Sequence, residues 1–225
     1  DSDSIKGKDL SIFDNVIITD AGKNTTRQYY QGTELVSMTW INGTRSQAYD
    51  LSPYDETIMI DSDFMISSDR LLTLFDTTRP YLCHEHTFDI TGRDGYAGLE
   101  TFGTKKMPMY WATVVYFKKC DESEELFNMM AMVKKNYHHY ATLYGFPDRP
   151  FRNDYAISIA MYTLAGHVPP QNFIPWSLMT ANVDVDVTID DATMLFKFED
   201  NKQPRNVRTV GADIHIMNKV SLCNL

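Results

Sequence analysis

Ile58-Met59-Ile60 is an apolar run that closes on Asp61-Ser62-Asp63 and resumes as Phe64-Met65-Ile66. Such a run, bounded by polar residues, reads as a buried strand of an α/β sheet. An ionised carboxylate at the end of a buried strand is costly unless it is paired or holds a cation. A bound divalent metal is therefore the economical explanation for two of them. The competing reading is a pair of turn-forming acids at a strand end.

The rest of the chain supplies elements to surround that strand. Phe13 to Thr19 is short, apolar and β-branched, and predicts a parallel strand entering a loop at Asp20-Ala21-Gly22. Arg27 to Tyr49 is low in charge and rich in aromatics, and predicts a loop and a helix stopped by Ser52-Pro53-Tyr54. Ser67-Ser68-Asp69 caps a short helix through Arg70 to Phe75. Tyr81 to Ile90 is a second strand, and Gly92, Asp94, Gly95, Gly98 and Gly103 mark a loop. Met109 to Phe117 is strongly β-prone and predicts a central strand. Asp121-Glu122-Ser123 caps a helix from Glu124 to Tyr144, with Leu126, Met129, Met130 and Val133 as its core stripe. Phe151-Arg152-Asn153-Asp154 opens a buried helix, Tyr155 to Ala165, which Gly166 ends. Strands at Val183 to Ile189 and Met194 to Phe198 precede the final segment Asp213 to Lys219. No internal repeat and no Pro-, Gly- or Ser-rich linker divides the 225 residues, which favours a single domain over residues 1–225.

Composition narrows the function classes. A formal charge of -9 carries no overall nucleic-acid-binding signature, although Lys105-Lys106, Lys118-Lys119, Lys134-Lys135 and Arg205/Arg208 can form local basic faces. Three widely spaced cysteines, Cys83, Cys120 and Cys223, fit free thiols in a reducing cytoplasm better than a disulfide framework. No apolar stretch approaches the ~18 residues that cross a bilayer, so no membrane span is expected. Cys83-His84-Glu85-His86 raises a zinc reading, but no second Cys/His cluster with finger spacing accompanies it. Trp40, Trp111 and Trp176 are candidates for stacking on a sugar or base, with buried packing as the default.

Oxygen ligands from Asp61 and Asp63 suit a hard divalent ion, Mn²⁺ or Mg²⁺, that leaves positions for phosphate oxygens. In open α/β sheets such sites lie beyond the carboxyl ends of strands, where this pair falls. Arg45, the turn Ser52-Pro53-Tyr54, Asp61-Ser62-Asp63, the strand Met109 to Phe117, Asn153-Asp154, and His215 followed by Lys219 stand in an order that resembles the GT-A nucleotide-sugar glycosyltransferases. The likeness is strongest to their glycogenin-like, galactosyl-transferring group. Phe151 to Ala156 also resembles segments of phage-encoded glycosyltransferases, which would place the protein in a host cytoplasm. The sequence departs from the family at Trp111-Ala112-Thr113, where small Asn/Gly residues are usual, and after Lys219, where a Pro-Trp pair is usual.

The resemblance implies a Rossmann-like, mostly parallel sheet flanked by helices. It covers roughly Leu10 to Lys219, and a preceding nucleotide-binding βα unit would complete the fold. It implies Asp61, Asp63 and His215 as metal ligands. Arg45, Asp61, Asp63 and Lys219 would contact the nucleotide sugar, and Asp154 would be the catalytic or acceptor-orienting carboxylate. The donor would be a nucleoside-diphosphate sugar, UDP-linked by preference, and the acceptor a protein, glycan, lipid head or modified DNA base. Two other readings stay open: a nucleotidyltransferase using the same paired acids, and a non-catalytic binding or assembly module. For Asp154 the bland reading is a helix-start acid, and for His215 a hydrogen-bonded structural imidazole.

Overall fold

The β-prone stretch Trp111–Lys118 lies in the middle of its main sheet and is buried along all but its last residue. The computed structural model describes residues 5–18, 26–31, 34–39, 44–93 and 100–223. In chain order, β1 (Thr26–Gln31) and β2 (Glu34–Thr39) precede a 3₁₀ turn, Arg45–Gln47, that runs into α1 (Ala48–Leu51). Next come β3 (Glu56–Ile60), β4 (Phe64–Met65), a 3₁₀ turn at Arg70–Asp76, β5 (Tyr81–His84), β6 (Thr87–Asp89), β7 (Thr101–Phe102) and β8 (Met107–Pro108). The central strand is β9 (Trp111–Lys118), followed by α2 (Asp121–Lys135), α3 (Tyr137–Tyr144) and α4 (Asn153–Leu164). The chain closes with β10 (Leu178–Ala181), β11 (Asp186–Asp190), β12 (Thr193–Asp200), β13 (Gln203–Val210), β14 (Ile214–Ile216) and α5 (Lys219–Cys223).

The fold is mixed α/β, with two layers of core. The first sheet has the order β3-β9-β5, antiparallel throughout, and packs with α2 and α4 around Val114, Phe117, Leu126 and Ile157. A fully buried strand such as β9 needs cover on both faces, and α4 is among the elements that pack against it. The second sheet has the order β4-β14-β10-β6. Alternation divides its residues: Phe64 and Leu178 join the first core, whereas Ile214, Ile216 and Ala181 pack against Val187, Met194 and Phe196 of the meander β11-β12-β13. The second sheet thus bridges two apolar clusters.

Several expectations change. Among the described pairings of two strands only β10 with β14 and β10 with β6 are parallel, beside an isolated parallel bridge between Cys83 and Phe173, so the main sheet is not the parallel one the resemblance implied. Residues 13–18 form no strand and leave Phe13, Ile17 and Ile18 exposed; Thr19 lies outside the described residues. The segment Arg27 to Tyr49 keeps only a short helical end before Pro53, and its front is the antiparallel hairpin β1-β2, in line with the strand preference of its aromatic and β-branched residues. Tyr81 to Ile90 splits at Glu85-His86 into strands of two different sheets. The helix expected from Glu124 to Tyr144 breaks at Asn136, whose side-chain amide donates to the Met132 carbonyl at 3.0 Å and competes with helix continuation. Strand β13 was not anticipated, because Gln203 to Arg208 is polar. Among the described residues it is an exposed edge strand paired with β12 alone. Helix α4 is buried from Tyr155 to Met161, as its apolar surface predicts. Asp94, Gly95, Gly98 and Trp40 lie outside the described residues. No helix among the described residues is long and apolar enough to cross a membrane.

Candidate metal centre

Asp61 and Asp63 stand where the chain leaves one sheet and enters the other. The Asp61 N–H donates to the Thr113 carbonyl at 2.9 Å, extending the β3–β9 pairing by one residue, while the Ile216 N–H donates to the Asp63 carbonyl at 2.8 Å. Ser62 between them is exposed, and the Phe64 N–H reaches back to the Asp61 carbonyl at 3.0 Å to close a turn. Each backbone is therefore anchored to a different sheet, and the turn brings the two carboxylates together. Strand β14 adds His215, placed beside Phe64 by the antiparallel β4–β14 register. One ligand atom from each of Asp61, Asp63 and His215 lies within 4.8 Å of the other two.

The site is densely paired. His215 Nε2 is 3.2 Å from Asp63 Oδ1, and its Nδ1 is 3.4 Å from the Thr113 hydroxyl. Lys219 Nζ is 3.4 Å from Asp63 Oδ2, on a side chain 73 % exposed. Burial raises the Asp63 pKa, but the hydrogen bond and charge of His215 and the ammonium of Lys219 outweigh it and bring the carboxyl down to about 2. Asp63 is ionised at neutral pH. Arg45 is buried beneath the pair, where its guanidinium meets Asp61 Oδ1 and the Ala112 carbonyl. Burial lowers the Arg45 pKa and the charges of Asp154 and Asp63 oppose that shift; a guanidinium so placed keeps its charge.

Asp154, at the start of α4, accepts from the Ala112 N–H at 2.9 Å through Oδ1 and from Arg152 Nε at 2.9 Å through Oδ2. Ala112 thus joins two carboxylate systems, its carbonyl to Arg45 and its N–H to Asp154. Arg152 in turn lies over Trp111, 5.8 Å from the ring centroid. All the residues predicted for the site, Arg45, Asp61, Asp63, Asp154, His215 and Lys219, belong to this network. Sequence reading missed Arg152 and Thr113. Arg152 sits two residues before the acid it holds, a spacing that was visible. Thr113 carries no sequence signal beyond its departure from the family pattern.

The donor set fits a divalent cation of mixed preference. Two carboxylates with one imidazole favour Mn²⁺ over Mg²⁺, which takes oxygen almost exclusively. To ligate through Nε2, His215 must carry its proton on Nδ1, and the Thr113 hydroxyl can accept it. Lys219 must move off Asp63, which its exposure permits. The Cys83 to His86 segment forms no such cluster among the described residues: Cys83 and His84 are buried, and the His86 side chain is 61 % exposed. All three cysteines are free thiols. Comparison of the chain with protein-family models, with curated proteins and with solved structures finds no match.

Proposed function

We propose that this chain is a metal-dependent glycosyltransferase, moving a sugar from a nucleoside-diphosphate sugar to an acceptor hydroxyl. The observation that carries the proposal is the cluster of Asp61, Asp63 and His215 with the exposed cation of Lys219 beside it. These residues come from distant parts of the chain in the order the resemblance requires. A cation held there would neutralise charge on the departing diphosphate. Lys219 swings from Asp63 to the phosphate oxygens, adding positive charge where it develops. Arg45, being buried, acts by orienting Asp61. Asp154 has both oxygens engaged, so it serves as a fixed post that aligns β9 with α4 and presents Arg152 toward Trp111, a positioning role and not that of a free base. The reading rests on the site and not on strand direction in the sheet.

The test incubates the full chain with Mn²⁺ and a panel of nucleotide sugars, UDP-linked ones first, with protein, glycan, lipid-head and hydroxymethylated-DNA acceptors. Nucleoside diphosphate is the expected product, and Asp63→Asn should abolish its release. Release of pyrophosphate would replace this reading with nucleotidyl transfer. If calorimetry with Mn²⁺ and UDP gives no heat, the site is a structural ion-pair network and the protein a binding module.

A further inference from the structure

A cavity of about 140 Å³ opens beside the 3₁₀ turn Arg70–Asp76. It is lined by Ser68, which follows β4, and by Asp213, which precedes β14, so it lies at the opposite end of these two strands from Asp63 and Lys219. Phe64, Leu71, Leu178 and Met179 provide apolar wall, and Trp176 and Arg70 flank it.

Two features mark it as more than a packing gap. His84 lines the cavity and is only 1 % exposed, yet its Nδ1 has no hydrogen-bond partner among the described residues. Buried polar atoms are nearly always paired, and an unmade bond there is destabilising. Burial, with Arg70 nearby, lowers the His84 pKa to about 3, so the ring is neutral at neutral pH and Nδ1 offers either an N–H or a lone pair. The second feature is Arg70. Its guanidinium carbon lies 4.3 Å from the Trp176 ring centroid, and no carboxylate among the described residues pairs with it. The nearby acid is already engaged: Asp213 Oδ1 accepts from the Ser67 and Ser68 N–H groups at 2.8 and 2.9 Å, and Oδ2 from the Ser68 hydroxyl at 2.7 Å. Among the described residues that line the cavity, Arg70 is therefore the cation left for a ligand.

We propose that this cavity is a second small-molecule site, built for a compact carboxylate that carries a hydroxyl or carbonyl at its far end. The exposed guanidinium of Arg70, steadied on Trp176, takes the carboxylate in its planar fork. The body lies against Phe64, Leu71 and Leu178, and the far oxygen reaches His84 Nδ1 at the buried end. The site is separate from the metal centre and does not depend on the proposed sugar transfer.

The test compares 4-hydroxybenzoate with benzoate by calorimetry on the full chain. The hydroxylated acid should bind about 5- to 10-fold more tightly, the range expected of one added hydrogen bond to a buried partner. His84→Phe should erase that preference while keeping benzoate affinity, His84→Gln should retain part of it, and Arg70→Gln should weaken both acids about 10-fold or more. Asp63→Asn, which alters the metal centre, should bind both as the wild type does. The proposal is overturned if neither acid binds at millimolar concentration, or if His84→Gln and Arg70→Gln fold and bind unchanged.

Discussion

Lys219 and His215 occupy the Asp63 oxygens that a metal would need, so the resting site is a competition between fixed cations and a free one. Removing the ammonium should help the ion and hurt the phosphate. Lys219→Ala is expected to tighten Mn²⁺ binding about 3- to 5-fold, the equivalent of a partly exposed ion pair near 1 kcal/mol, while weakening UDP binding. Calorimetric titration of each ligand alone checks both signs. Thr113 is tested differently: Thr113→Val keeps the shape but removes the acceptor for a proton on His215 Nδ1, and should weaken Mn²⁺ about 10-fold while leaving the melting temperature within a few degrees. An unchanged Mn²⁺ affinity would mean that His215 binds no metal.

At the level of elements, the turn that ends α3 shows why glycine is required where chain segments meet. Gly145 has φ +78, and a Cβ there would sit 1.9 Å from the Thr104 hydroxyl. Gly166, after α4, has a comparable φ of +71 but open space around the same position. Gly166→Ala should therefore cost about 1 kcal/mol for the left-handed backbone alone. Gly145→Ala should cost about 2 kcal/mol more, because the loop bearing Thr104 must move from its hydrogen bond with the Gly145 carbonyl. Urea denaturation of the two variants measures the difference, and equal losses would show that the Thr104 contact is soft.

For the whole molecule, two buried groups contribute to the pH dependence of stability in windows that overlap just below pH 4. His84 is held neutral in the fold, with its pKa lowered from 6.5 to about 3 by burial and then by Arg70. Unfolding releases it to bind a proton, so its contribution is complete above pH 6.5 and is lost as pH falls toward 3, at up to about 1.4 kcal/mol per unit. Asp63, brought down to about 2, acts lower: its contribution holds above its unfolded value of 3.8 and vanishes as pH drops through 2. His84→Gln should flatten the stability profile between pH 4 and 6 and leave the loss below pH 4. Urea midpoints at pH 7, 5 and 4 test this, and a parallel profile for the variant would refute it.

Local chemistry made much of this protein legible. The apolar continuity of Trp111 to Phe117, the helical stripe of Leu126 to Val133 and the apolar surface of Tyr155 to Ala165 each report a burial demand that neighbours in sequence state directly. The acid pair was legible as two charges in need of partners, but not for the burial expected of its strand: β3 is a half-buried edge strand with Ile60 exposed, and it is Asp63 and Arg45 that are buried. Strand direction, the break at Asn136 and the edge strand β13 were not legible, because each depends on which segment lies alongside, a choice made by contacts between residues far apart. That Arg45 would lie beneath Asp61, that Ala112 would join it to Asp154, and that His84 Nδ1 would be buried with no hydrogen-bond partner among the described residues were decided only in three dimensions. Hydrogen bonds and charges act across space, and the distances that give them strength come into being when the two sheets close on the turn between Asp61 and Asp63.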